Sequence, residues 1–297
     1  YQTHFAKNVL GLRPLLVTYY GNNYTEEGEY NLRRMKKIFG VDHIIFKPKT
    51  DVLIKMNRLG FKIQGDMNWH NHCGIMTYPI QVAIEKKINV ILWGEHGYMD
   101  RSGMFSYDDF VEFTKKYRKE HDLRGFDWQD FTDKGLDKLK MSQFSEGLTK
   151  EDLHWAVYPS DKQIFDVGLR GIYLSNYQYW NGNNNAKISR ELYGWQEYKG
   201  NFQRTYRKIS NLDDMHENGA HDYLKFVKYG YGRGSDHSTK DLRLGLITRD
   251  EGINYVKKYD HVIPTIDLNR WSEYTDISID EFHFYSEKFR DPRVWYI

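Results

Sequence analysis

The sequence reads as an α/β protein whose first third is a parallel sheet with crossover helices and whose remainder is mostly helical. Three observations carry this. Short apolar runs rich in β-branched and aromatic residues stand at 14–19, 43–46 and 88–93, with helix-period segments between them. After Gly97 such runs almost vanish, and helix-start signals repeat instead. Only 171–174 (GIYL) still reads as a strand.

In order, residues 1–10 read as the body of a helix, with Phe5, Val9 and Leu10 as apolar positions and Gly11 as its stop. No initiator methionine and no capping residue precede it, so the chain reads as opening in mid-helix. The strand at 14–19 (PLLVTY) ends in a polar turn, Tyr20-Gly21-Asn22-Asn23. Asn23, with Glu26 three residues on, suits an N-cap. Leu32, Met35, Ile38 and Phe39 then mark an inner helix face up to Gly40. A strand at 43–46, a helix near 51–59 and a loop holding Trp69-His70-Asn71-His72-Cys73-Gly74 follow. Pro79 fits the first turn of a helix that runs through Ile80, Val82, Ala83 and Ile84 into the central strand, 88–93. Helices and strands in this order make a parallel unit with right-handed crossovers. The second region carries capping pairs Ser160/Gln163, Thr248/Glu251 and Ser278/Glu281, with weaker ones at Ser106/Asp109 and Thr149/Asp152. Helices are expected near 107–120, 150–158, 160–167, 184–193, 221–229, 236–244, 249–258 and 279–290. The charged, weakly periodic stretch 122–146 reads as a mobile excursion. The expected division is an α/β domain at 1–105 and a helical substrate or partner region at 106–297.

Composition excludes several classes. The 43 basic and 41 acidic side chains leave a net charge of +2, so no bulk field draws the chain to nucleic acid or a membrane. No apolar run approaches the ~18 residues of a membrane span, and no signal-peptide pattern opens the chain. A single cysteine, Cys73, rules out an internal disulfide framework. These features point to a soluble, cytoplasmic protein.

The central strand ends at Gly94-Glu95. In open α/β sheets ligands sit beyond the carboxyl ends of the strands, so both residues are site candidates, against the plainer reading of a solvated turn. SNLDDMHENG places Asp213, Asp214, His216 and Glu217 within five residues, either a proton relay or an exposed acidic helix start. Lys225 and Lys228 share a helix face, Gly230, Gly232 and Gly234 alternate with Tyr231 and Arg233, and Asp236 can cap a helix that carries Lys240 and Arg243. Such a glycine loop leaves backbone N–H groups to face an anion, with a guanidinium beside them; a flexible loop with a solvated Arg is the alternative. His70, His72 and Cys73 are metal donors by type, but no fourth donor accompanies them, and a polar substrate-pocket loop is the other reading.

Several long blocks together resemble the N-acetyl sugar amidotransferases of the PP-loop (N-type) ATP pyrophosphatases. They are LGLRPLLVTYYGNNYTEEGEYNLRRM, VDHIIFKP, INVILWGEHG, MFSYDDFVEFTKKYRKEHDLRG, SNLDDMHENGAHDYLKFVKYGYGRGSDH and FRDPRVW. The resemblance spans nearly the whole chain. It looks closest to the lipopolysaccharide and O-antigen branch that makes an acetamidino group on a UDP-linked diacetamido uronic acid, with the pseudaminic and legionaminic acid branches near it. It implies a HUP-like (Rossmann-like) sheet. It also implies ATP, with Mg²⁺, held by Thr18, Tyr19, Tyr20, Asn22, Gly94 and Glu95. Glu95 and Asp236 are then catalytic candidates, and His70, His72, Lys225, Lys228, Arg233, Lys240 and Arg243 are candidate contacts to the sugar nucleotide. The family's SGGKDS-type loop and its cysteine-rich zinc segment would lie upstream of Tyr1, so Zn²⁺ is expected only there. The implied reaction transfers AMP to an amide oxygen, after which ammonia attacks carbon and AMP leaves. Ammonia is expected from a separate glutamine amidotransferase with a cyclase-like barrel subunit. Two rivals remain, a non-catalytic sugar-nucleotide binding protein and a tRNA-modifying PP-loop enzyme; the net charge of +2 speaks against the second.

Overall fold

Two pairs of parallel strands form the β-structure in the computed structural model, which describes residues 1–21, 23–94 and 108–295. Strand β1 (Leu16–Tyr19) pairs with β2 (His43–Phe46), from Leu16 opposite His43 to Tyr19 opposite Phe46. Strand β3 (Val90–Trp93) pairs with β4 (Arg170–Tyr173), from Val90 opposite Arg170 to Trp93 opposite Tyr173. Among the described residues these are two separate two-stranded sheets. The expected strands are present, with β4 as the one strand of the later chain. Burial on both faces is not: Val90 is 39% exposed and Ile45 37%. A two-stranded sheet has too few neighbours to cover both faces, whatever the apolar content of its strands.

The longer helices are α1 (Glu26–Phe39), α2 (Thr50–Gln64), α3 (Trp69–Glu85), α4 (Asp161–Val167), α5 (Gly182–Tyr193), α6 (Asn218–Tyr229), α7 (Arg233–Arg243), α8 (Arg249–Tyr259), α9 (Thr265–Thr275) and α10 (Ile279–Glu287). The caps read from sequence form: Ser160 accepts from the Gln163 N–H, Thr248 from Glu251 and Ser278 from Glu281. Other expectations are corrected. Thr25, not Asn23, caps α1, accepting from the Gly28 N–H at 3.0 Å, while Asn23 turns to Glu217. Trp69 to Gly74 lie in the first turns of α3 and not in a loop, and Pro79 sits inside that helix. Val9 and Leu10 are exposed. Residues 150–158 form turns around a 3₁₀ segment, His154–Ala156, in place of an α-helix. Within 107–120 the described residues turn helical only from Lys115, and the helix is π-helical from Tyr117 on. Helix α9 has no counterpart among the expected helices, although Leu268 and Trp271 lie three apart behind Pro264.

The chain forms two compact units. The first comprises 1–20, 32–48 and 70–195, and the second 21–31, 49–69 and 196–297. Packing therefore interleaves segments that the sequence reading divides once, at residue 105. In the first unit the rings of Trp93 and Phe113 stack at 4.7 Å, and Tyr19 packs on Trp155 at 4.9 Å. The stretch 122–146 belongs to this core and is no loose excursion: Leu123, Phe131 and Leu136 are fully buried. Its charges serve caps and pairs. Asp127 caps Trp128–Phe131 and receives two 3.2 Å bonds from Arg118, itself buried. Charges used locally in this way blur periodicity without loosening a segment.

In the second unit the core joins Phe61, Ala220, Leu224, Leu268, Trp271 and Phe282. Phe61 and Phe282 stack at 5.2 Å, and Trp271 meets Phe61 edge-on at 5.1 Å. The Trp271 indole N–H donates to Asn57 Oδ1 at 3.0 Å, which carries the apolar core into the polar groups around the start of α6.

Candidate functional site

The start of α6, in the second unit, gathers the polar residues of the SNLDDMHENG run. Glu217 is fully buried and is held by two amides: Asn57 Nδ2 donates to Oε1 at 2.9 Å, and Asn23 Nδ2 donates to Oε2. Asn68 Nδ2 donates to Asp214 Oδ2 at 3.2 Å, while Asp214 Oδ1 is shut off from solvent with no partner. Burial raises the Asp214 carboxyl well above the usual range, and the charges of Asp213, Glu217 and Asp222 push it further up. His216 stacks face to face on Tyr274 at 4.2 Å, and its Nδ1 has no hydrogen-bond partner. The relay read into Asp213, Asp214 and His216 is therefore not assembled; the run instead encloses a carboxyl that resists ionisation.

That carboxyl gives a test. The folded protein keeps a proton on Asp214 at pH values where the unfolded chain has lost it, so this group's contribution falls as pH rises above the usual carboxylate value of about 4. Asp214→Asn is expected to be modestly more stable than wild type at neutral pH and equal to it near pH 3 on that scale, measured by denaturant melts across pH. A loss of stability at neutral pH would contradict the account.

Of the cationic residues, Lys225 and Arg233 are brought together on Asp236, and their charges are met by the protein. Arg233 donates from Nε and Nη2 to Asp222 Oδ1 at 3.0 and 2.6 Å, and Asp222 is buried. Lys225 pairs with Asp236 at 2.5 Å, which makes Asp236 a structural counter-ion and not the cap of α7. Lys228 donates to the Gly65 carbonyl at 2.7 Å, satisfying the carboxyl end of α2. Arg243 is exposed and bends back to Thr239 of its own helix, and Lys240 is half-buried on α7. Cations this close require an anion among them, and two of the anions are Asp222 and Asp236.

The glycine loop is filled in the same way. The Gly232 and Ser235 N–H groups donate to the two carboxylate oxygens of Asp260 at 2.9 and 3.0 Å, and the Ser235 hydroxyl adds a third bond at 2.6 Å. A Cβ at position 232 would stand 3.0 Å from Asp260 Oδ1 and 2.6 Å from Arg204 Nη2, so the close approach requires glycine. The loop is an anion nest, and the anion is a buried side chain of the same chain.

The second unit also opens a small cleft with a cavity volume of about 70 Å³. Its walls include Asn201, Phe202, Met215, Asn218, Ile266 and Arg270. Arg270 is anchored by Asp267 at 2.9 Å and by the Met215 carbonyl at 3.2 Å. Two guanidiniums, Arg204 and Arg270, and two carboxylates, Asp222 and Asp267, share the lining with amides and apolar side chains, which suits a polar group. The sequence pattern gives no sign of these residues as a set; Asn218 lies in the run already singled out, but there the acids beside it carry the visible signal.

In the first unit, the Thr18 hydroxyl is engaged with His43 Nε2 at 2.8 Å, and Tyr19 is buried with its hydroxyl 3.3 Å from His70 Nδ1. Tyr20 closes β1 beneath the Lys47 ammonium, 4.2 Å from the ring centroid. Gly94 closes β3 against Trp180, whose ring would stand 2.7 Å from an added Cβ. Asn22 and Glu95 lie outside the described residues. Tyr20 and Trp180 thus place aromatic rings at the ends of β1 and β3. His70 and Cys73 are buried in α3 and His72 is half-buried there. Burial pushes the Cys73 thiol up to about 11, and Arg118 Nη2 approaches it at 3.5 Å. Such a thiol is a poor metal ligand. No group of three His, Cys, Asp or Glu among the described residues is placed to hold a metal ion, so His70, His72 and Cys73 do not fit one together.

Residues 195–296 match the family described as LPS biosynthesis protein WbpG-like, C-terminal domain. That match covers about a third of the chain, beginning at the last residue of the first unit and continuing through the C-terminal part of the second. It supports a place in lipopolysaccharide biosynthesis. No curated protein matches the chain. Among the described residues, no helix is long and apolar enough to cross a membrane.

Proposed function

We propose, with the likeness of residues 195–296 to an LPS-biosynthesis domain as the premise, that the protein is an ATP-dependent amidotransferase acting on a nucleotide-linked N-acetyl sugar. That likeness is the observation that carries the reading. The sequence blocks resembling N-acetyl sugar amidotransferases extend it to the chemistry, and the parallel strands ending at Tyr19 and Trp93 are compatible with a HUP-like nucleotide domain. ATP enters as a substrate: it activates the acetamido oxygen as an adenylate, ammonia displaces AMP at carbon, and an acetamidino group remains. The amide oxygen leaves with AMP, and pyrophosphate is the other product. A glutamine amidotransferase with its barrel subunit supplies the ammonia.

The chain's own share is binding and exclusion of water. Tyr20, Lys47, Gly94 and Trp180 line the nucleotide end, and the cleft beside α6 takes the sugar. With a UDP-linked diacetamido uronic acid, Mg²⁺ and an ammonium salt at mildly alkaline pH, the intact protein is expected to convert ATP to AMP and pyrophosphate only while the sugar is present. ADP and phosphate as products, or AMP formed without sugar, would overturn the assignment. A binding-only protein is the second reading; its mark is sugar-nucleotide binding with no AMP at all.

A further inference from the structure

We propose that Arg270 binds a carboxylate carried by the sugar, pairing with both of its oxygens along the Nε–Nη2 edge of the guanidinium; this rests on the reading above that the cleft takes the sugar. Arg270 lines the cleft and is held there through Nη1. That nitrogen spends both hydrogens, one on the Met215 carbonyl at 3.2 Å and one on Asp267 Oδ1 at 2.9 Å. Nε and Nη2 make no hydrogen bond with any described residue, and neither is sealed from solvent. Their N–H groups lie parallel on one side of the planar guanidinium, the edge that matches the two oxygens of a carboxylate. Arg204, the other guanidinium of the cleft, offers no such edge. Its Nη1 and Nη2 go to the carbonyls of Val262, Asp222 and Asp260, and its Nε is shut off from solvent.

Size and charge select the ligand. The cleft volume is about 70 Å³ and a single water needs about 10–15 Å³ of such space, so a carboxylate and the ring atoms beside it fit where a nucleotide does not. Of the two acids in the wall, Asp222 is matched by Arg233, which leaves Asp267 beside the open edge. A dianion such as phosphate would set its second charge near Asp267, so the edge favours a planar monoanion. On a sugar that group is the carboxylate of a uronic acid. Tyr198 and Phe202 stack at 4.4 Å in the same wall and suit the apolar face of a pyranose, and the exposed Asn201 amide suits a ring hydroxyl. The guanidinium is also fixed in advance. Asp267 and Arg270 stand on α9, whose Leu268 and Trp271 are buried, and Gly219 of α6 leaves no room for a Cβ beside Asp267. A donor set on a packed helix holds its geometry better than one on a loop. The anion contact expected at Arg233 thus falls to Arg270, because Asp222 occupies Arg233.

The test uses the full chain with methyl β-glucuronide and methyl β-glucoside, titrated by ligand-observed NMR at neutral pH, and inorganic phosphate as competitor. The glucuronide is expected to bind at least about tenfold more tightly than the glucoside, the effect of hydrogen bonds to a charged group. Phosphate should displace it only at higher concentration. Arg270→Gln should abolish the preference, and Arg270→Lys should keep only part of it, since an ammonium supplies charge without the planar fork. Equal affinity of the two glycosides for wild type, binding of neither, displacement by phosphate at lower concentration, or a preference that survives in Arg270→Gln would overturn the proposal. The wild-type comparison decides even if a variant fails to fold. Failure of the amidotransferase reading looks different: the glucuronide is still preferred, and no AMP forms.

Discussion

Arg233→Ala is expected to lower the stability of the protein by about 3–5 kcal/mol, the cost of removing one partner from a buried ion pair. The substitution strands Asp222, whose side chain is 1% exposed and whose Oδ1 takes both bonds from the guanidinium. Burial alone would raise the Asp222 carboxyl; the Arg233 charge and bonds outweigh it and hold it far below the usual carboxylate range. A depressed carboxylate contributes stability that is complete above its unfolded value of about 3.9 and disappears as pH falls through the lower folded value. The Arg233→Ala deficit should therefore be largest near neutrality and should shrink in acid. Adding Asp222→Asn should recover most of it. Urea denaturation across pH measures both. An Arg233→Ala protein as stable as wild type, yet weaker for the sugar nucleotide, would return Arg233 to the substrate site.

Asp260→Ala is the second large effect, expected at about 3 kcal/mol, since hydrogen bonds to a charged group contribute about 1.5–3 kcal/mol each and do not add fully. The change removes the carboxylate that accepts from Gly232 and Ser235 at the start of α7 and leaves Arg204 beside an emptied nest. The amides of Gly232 and Ser235 should exchange with solvent faster, and the denaturation midpoint should drop. Asp260→Asn should fall between the two, because an amide oxygen replaces only part of what the carboxylate accepts. If the loop instead served an external phosphate, Asp260→Ala would be nearly neutral for stability and would tighten phosphate binding.

Both variants concern residues whose types were legible and whose partners were not. The alternation of glycine with Tyr231 and Arg233 announces an anion nest, because free N–H groups and a guanidinium attract negative charge wherever it comes from. Asp260 lies 28 residues after Gly232, and no local pattern links them. The Lys225–Arg233 pairing has the same character: like charges at helical spacing require a counter-ion, and Asp222 and Asp236 supply it from the same two helices. Cys73 and His70 read as a loop of donors because Trp69, His70 and Gly74 are weak helix formers. Burial of Trp69, His70 and Cys73 overrides that weakness.

The features readable along the chain are local and periodic ones. The four short strands, the cap residues Ser160, Thr248 and Ser278 and the positive-φ glycines Gly11 and Gly40 follow from side-chain stereochemistry within a few residues. Folding in three dimensions set the rest. It fixed which segments share a unit, since 21–31 and 49–69 pack with 196–297 through contacts far apart in the chain. It turned 122–146 from a charged stretch into core, because Leu123, Phe131 and Leu136 have partners only once folded. It also left one edge of Arg270 unpaired in a cleft, for burial and unmet hydrogen bonds belong to the arrangement of many residues in space and have no spacing along the chain.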